Sequence, residues 1–282
     1  MSDQLHDRRI FETCLLLLNE KERDLLIPYN IELPTSPKPF WTLAAAISEN
    51  KTLTSLKLRD AARGDELNVL VKSLATALGK GKITYLDLTD NKLIPVGGLY
   101  NIGINLDGVK ALADALKFCK YLKHLSIREN DINDEGGKEL ADALCVNTTL
   151  TVLDLSQNRI AVEGGRAFAN ALCKNTTLIS DDVRKLADAL SSNSTLKSLD
   201  LSVNQLDSKA GDALGKSLLT NTGLVFLRLN LNNLQSDGIK KIAKALYANT
   251  TLTYLNISCN EIGPAGGSNL VNALRENTTL TT

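Results

Sequence analysis

Apolar and polar positions along this chain repeat one pattern six times. The stretches at 83–93, 122–132, 150–160, 196–206, 224–234 and 252–262 all fit LxxLxLxxNx(L/I). Residues at the fourth and sixth positions alternate with polar neighbours, so they share one face of a short strand while positions three, five and seven share the other. Each strand is followed by a Gly-containing turn, for example Gly136-Gly137, Gly164-Gly165 or Gly211. Next come LADAL at 140–144, FANAL at 168–172, IAKAL at 242–246 and LVNAL at 270–274. Large apolar residues at i and i+4 with alanines between them make one face of a helix, and the alanines let neighbouring helices approach. The predicted unit is strand, turn, helix, turn.

Register extends this unit into an array. Leu122 to Leu150, Leu196 to Leu224, Leu224 to Leu252 and Leu252 to Leu280 are each 28 residues apart. A fixed period of that size marks a solenoid, in which each unit buries its apolar face against its neighbours. The asparagine of each motif (Asn91, Asn130, Asn158, Asn204, Asn232, Asn260) falls where the chain leaves the strand. Its amide can both donate to and accept from backbone groups of the turn, so these asparagines are read as structural.

The 28-residue period, the LxxLxLxxN core and the trailing GxxxLAxAL helix together resemble leucine-rich repeat proteins of the ribonuclease-inhibitor-like type. The resemblance covers roughly Leu43 to Leu280. It implies an α/β solenoid curved as a horseshoe, with parallel strands on the concave face and helices on the convex face. It also implies a role in binding macromolecules, as inhibitor, adaptor or sensor. Similar repeat proteins occur in cytosolic immune receptors and as secreted effectors of intracellular bacteria, so a host-targeting effector is one form this reading takes.

Two steps depart from the period. Ile83 to Leu122 is 39 residues, with the excess in an insertion at 94–108, and Leu178 to Leu196 is 18, which leaves a strand-less unit at 178–195. Ahead of the array, Leu5, Phe11, Leu15 and Leu18 have helical spacing and Pro28, Pro34, Pro37 and Pro39 enforce extended chain. Residues 1–42 are therefore expected to be an N-terminal helical cap and 43–282 the repeat domain, with no C-terminal cap visible.

Composition narrows the function. Lys plus Arg and Asp plus Glu are both 32, so the chain offers no general attraction to nucleic acid or anionic membrane. No apolar run approaches the roughly 18 residues of a membrane span, and MSDQLHDRR at the start lacks the order of a secretory signal. The five cysteines are expected to be free thiols, which favours a cytoplasmic location, or a host cytosol for an effector. The expected molecule is a monomer with a protein partner, no nucleic acid, no cofactor and no metal.

Catalytic material is sparse. AGDALGKS, which begins at Ala210 and ends at Ser217, fits a permissive phosphate-loop pattern. Repeat register places Lys216 and Ser217 in mid-helix instead, Lys216 facing solvent and Ser217 packed within the helix layer. DINDEG at 131–136 matches the start of a calcium loop, but the twelfth position is Asp142 where a bidentate Glu is needed. Four NTT sequons, at 147, 175, 249 and 277, recur in register and mark the helix-to-strand turn. His124 at position three could pair with Ser126, Asp87 and Asp154 in a loose hydrolase grouping, which is the alternative reading, but no oxyanion hole or pocket is suggested.

Outward strand positions are where a partner is expected. Phe226 and Tyr254 hold the same column on consecutive strands, with Arg228 beside them. Aromatic residues and Arg dominate interface hot spots. Tyr85, His124 and Arg128 form a second candidate patch.

Overall fold

The computed structural model describes residues 24–27, 53–58, 65–90, 104–172 and 194–281. Most of the predicted insertion and the strand-less unit, together with His6, Asn91 and Cys173, lie outside these residues. The chain divides into two compact units, residues 1–132 and 133–282.

In the first unit the elements are β1 (Asp24–Ile27), β2 (Ser55–Leu58), α1 (Asp65–Leu78), β3 (Tyr85–Asp87), α2 (Leu106–Phe118) and β4 (His124–Ser126). The four strands are parallel and in sequence order, Asp24 paired with Ser55, Ser55 with Tyr85, and Tyr85 with His124. β1 is a strand that the periodic pattern did not mark, because DLLI has no LxxLxLxxN frame around it. β3 and β4 pair directly across the 39-residue step.

The second unit runs α3 (Asp134–Leu144), β5 (Val152–Asp154), α4 (Val162–Leu172), β6 (Ser198–Asp200), α5 (Ser208–Leu218), β7 (Phe226–Arg228), α6 (Gln235–Leu246), β8 (Tyr254–Asn256) and α7 (Gly263–Glu276). Val152 pairs with Ser198, Ser198 with Phe226 and Phe226 with Tyr254, all parallel. β5 and β6 pair directly, and the 178–195 unit lies almost wholly outside the described residues.

Burial follows the predicted alternation. Leu56, Leu58, Leu86, Leu88, Leu125, Ile127, Leu153, Leu155, Leu199, Leu201, Leu227 and Leu229 are all at most 1% exposed. They meet the helices' apolar stripe, in which Phe168, Leu214, Leu218 and Ile242 are fully buried. Full burial of one such side chain is worth about 1.5–3 kcal/mol, so this leucine column is the main source of cohesion in each unit. In the last repeat Leu255 and Ile257 are only half-buried, and Val271 and Leu274 are 53% and 52% exposed, since no described element packs over them.

Asparagines stitch consecutive units together. Asn204 donates from Nδ2 to the carbonyls of Leu155, Leu201 and Ser202, and its Oδ1 accepts from the Ile160 amide at 2.9 Å. Asn232 and Asn260 repeat the arrangement one unit further on. Asn158 is buried as expected, whereas Asn204 is half-buried although its amide is fully engaged.

The sequon asparagines form a second ladder. Asn249 donates to the Leu218 carbonyl at 2.8 Å and accepts from the amides of Thr251 and Leu252, and Asn277 does the same against Leu246, Thr279 and Leu280. Their amides are turned inward to hold the helix-to-strand turn, the opposite of a glycosylation acceptor's exposure.

Candidate functional site

The face built by positions three, five and seven is less exposed than alternation alone suggests. Asp87, Thr89, Ser156, Asp200 and Ser202 are all buried. They are short, and they bond to one another. Asp154 Oδ1 accepts from the backbone amide of Ser156 and Asp200 Oδ1 from that of Ser202, both at 2.9 Å, while Asn256 does the same for Ser258 at 3.1 Å. Position five is therefore an Asx device that closes the strand exit.

These bonds decide the hydrolase grouping around His124. Asp87 Oδ1 accepts from the Thr89 amide at 3.0 Å, and Ser126 Oγ shares a 2.9 Å hydrogen bond with Thr89 Oγ1. The His124 ring instead lies against Tyr85, centroids 5.8 Å apart and planes at 43°. A nucleophile–base relay needs Ser and His within about 2.6–3.2 Å, and the bonds to Ser126 and Asp87 run elsewhere. Lys57 Nζ stands 5.5 Å over the Tyr85 ring, and Arg128 pairs with Glu129 at 2.9 Å. Tyr85 and His124 thus stand on two adjoining strands, and Arg128, two residues past β4, is turned to its neighbour in sequence.

Lys216 and Ser217 of the phosphate-loop pattern lie within a helix. Ser217 is fully buried in α5 and donates from Oγ to the Leu214 carbonyl at 2.8 Å, an ordinary mid-helix back-bond. Lys216 projects to solvent and pairs with Asp212 at 2.7 Å. The carboxylate of the DINDEG stretch at Asp134 accepts from the amides of Ala161 and Gly164 at 2.7 and 2.8 Å, capping α4. Among the described residues no group of three or more His, Cys, Asp or Glu could hold a metal ion. Cys119, Cys145 and Cys259 are free thiols; burial raises the pKa of Cys145 above its ordinary value, with Asp142 adding to the shift.

The tightest aromatic cluster lies in the second unit. Phe226 and Tyr254 stack with centroids 4.0 Å apart and planes at 10°. The strands set the two Cα atoms about 4.8 Å apart, so the rings lean together. Arg228, two residues on from Phe226 and on the same face, places its guanidinium carbon 4.8 Å from the Phe226 centroid and 5.7 Å from that of Tyr254. Its Nη1 also reaches Asp200 Oδ2 at a long 3.5 Å, leaving the side chain 44% exposed. The Tyr254 hydroxyl first, and then the Asp200 carboxylate, holds the guanidinium above its ordinary pKa. A stacked pair is worth about 0.5–1.5 kcal/mol beyond its burial. It presents a rigid apolar platform with a charged fork beside it.

Sequence reasoning missed a neighbouring feature. The residue just before the motif asparagine has φ between 52° and 58° in every described unit: Asp90, Glu129, Gln157, Val203, Leu231 and Cys259. The left-handed region costs an L-residue about 1–2 kcal/mol. Val203 and Leu231 adopt it while 37% and 52% exposed, because their amides extend the ladder to the carbonyls of Asn230 and Ser258. Residue type gave no signal, since the same φ occurs at polar and apolar residues alike.

A stack of parallel strand–turn–helix units, with a side-chain platform on the strand face and no assembled relay among the described residues, defines an open repeat solenoid. A family model described as "Leucine Rich repeat" matches residues 118–141, 146–169, 192–215, 220–243 and 248–271. These five stretches are leucine-rich repeats. The matches begin at 118, and the repeats before it are carried by strand pairing and burial.

Among solved structures the chain is similar to "Leiomodin-1 Actin-Binding Site 2 (ABS2)" at 25% identity and TM-score 0.45, covering 61% of this chain and 86% of that one. It is also similar to the tropomodulin C-terminal domain of Caenorhabditis elegans at 14% identity and TM-score 0.34, covering 62% and 77%. A third is the TLR13–ssRNA13 complex at 18% and TM-score 0.40, covering 74% of this chain and 26% of that one. Likenesses at this level of superposition say nothing of what this chain binds, and they lend no support to a bacterial source. No curated protein matches the sequence. Among the described residues no helix is long and apolar enough to cross a membrane.

Proposed function

We propose that this chain is a non-catalytic interaction module of the cytoplasm that binds a protein partner through its strand face. Phe226, Tyr254 and Arg228 are the centre of that site. The observation that carries the reading is the 4.0 Å stack of Phe226 on Tyr254 under the Arg228 guanidinium. Such a platform takes an apolar or proline side chain on the rings, while the guanidinium donates to a carboxylate or a carbonyl of the partner. Tyr85, His124 and Arg128 provide a secondary contact of the same chemistry.

The test is affinity capture from source-cell lysate with the parent, the Phe226→Ala/Tyr254→Ala variant and Lys244→Ala. A partner held by the parent and by Lys244→Ala but lost from the double variant supports the reading. The same partners on all three baits, with the fold intact by circular dichroism, would remove this patch from the binding site.

A further inference from the structure

The helix side of the second unit carries charge that the protein-binding reading does not use. A groove of about 680 Å³ opens over α4, α5 and α6, within the roughly 300–1,000 Å³ range of ligand sites. Its cations are Arg166, Lys209, Lys216, Lys240 and Lys241, and its carboxylates are Asp212 and Asp237. Five against two leaves three positive charges in one groove of a chain whose overall charge is zero.

Glycines draw these charges together. A Cβ on Gly211 would sit 2.7 Å from the Gly238 Cα, and one on Gly215 2.7 Å from the Lys241 carbonyl. Only glycine permits that backbone-to-backbone approach of α5 and α6, at a cost of roughly 1 kcal/mol each in a helix interior. The approach brings Lys216 and Lys241 onto one carboxylate, Asp212, at 2.7 and 3.4 Å. Lys216, and to a lesser extent Lys241, holds the Asp212 carboxyl below its ordinary pKa. Lys209 and Lys240 are exposed and have no carboxylate within ion-pairing distance among the described residues, and Arg166 is held only by Glu163 of its own helix. Like charges gathered this closely repel, and a bound anion would relieve the repulsion.

We propose that this groove is a binding site for a compact oxyanion carrying several phosphate-type charges. Four of the five cations are lysines, whose ammonium is a compact point charge with three rotatable donors. Such an ammonium holds a phosphate group as a point charge, without the planar fork by which arginine grips a carboxylate or a phosphate. The groove's volume of about 680 Å³ suits a small molecule. Asp212 holds two of the five cations, Lys216 and Lys241, so it competes with the ligand for them. The site is independent of the phosphate-loop pattern: Lys216 takes part as a helix-surface charge and Ser217 takes no part.

Inorganic tripolyphosphate is the probe, titrated calorimetrically into the whole chain at low ionic strength, with tetraglutamate as comparator. Saturable tripolyphosphate binding that weakens with added salt is expected, and tetraglutamate should bind more weakly. Lys209→Ala/Lys240→Ala, at two exposed positions, should weaken it at least about tenfold, while Lys197→Ala leaves it unchanged. Asp212→Asn should tighten binding, an effect that a purely structural ion pair would not produce. Absence of saturable binding, equal affinity for parent and double variant, weaker binding by Asp212→Asn, or preference for tetraglutamate would each overturn the proposal.

Discussion

The two strand faces hold aromatic pairs at the same repeat position and put them to different use. In the first unit Tyr85 and His124 pair across β3 and β4; in the second Phe226 and Tyr254 pair across β7 and β8. Backbone register is the same in both. Yet one pair sits at 5.8 Å and 43°, and the other at 4.0 Å and 10°. Position five differs between them: Asp87 and Ser126 turn to Thr89, whereas Arg228 lies over both of its rings. Repeat register brings two side chains together, and their neighbours two residues along decide whether they form a platform.

Breaking the platform should have the largest effect. With a partner in hand, Phe226→Ala/Tyr254→Ala is expected to lose about 2–4 kcal/mol of binding free energy, and Tyr85→Ala/His124→Ala about 1 kcal/mol, measured by calorimetric titration. The reverse order would make the first unit the principal site. Next come the asparagines that carry the two faces. Asn204→Ala in the second unit and Asn130→Ala in the first each strand buried or half-buried carbonyls, and Asn158→Ala does the same. All three should lower stability by about 1–3 kcal/mol in urea melts. Melts that match the parent would show that the asparagine ladder holds neither face in place.

Smaller changes sharpen the contrast. Val203→Asn replaces a β-branched residue at φ 52° with one that tolerates the left-handed region. Stability should rise by about 0.5–1 kcal/mol, and the gain should exceed that of Glu129→Asn at φ 58° in the first unit, because Glu is unbranched at Cβ. An equal gain at both positions would assign the strain to the turn alone. Smallest of all, Tyr254→Phe keeps the ring stack and removes the hydroxyl beside Arg228. Partner affinity should fall by only about 0.5 kcal/mol; a loss as large as that of the double alanine variant would move the binding determinant from the rings to the hydroxyl.

The sequence alone determined the repeat. Spacing of Leu and Asn set the strand positions, the buried column and the helix stripe, because solenoid contacts are made between neighbours at a fixed offset. The mid-helix place of Lys216 and Ser217 and the pairing of Phe226 with Tyr254 were both legible from register. A periodic pattern does not reach what depends on atoms meeting in three dimensions. Asp87 and Asp200 read as outward charges, and only the folded Asx turns show them spent on the strand exit. The left-handed turn under Val203 and Leu231 follows from ladder bonds to the next strand, which composition does not encode. Nor does sequence show that Gly211 and Gly215 let two helices touch and so gather four lysines and an arginine in a chain of zero net charge. Charge adds along a sequence whatever the fold, but a local field depends on distance, and tertiary packing sets the distances.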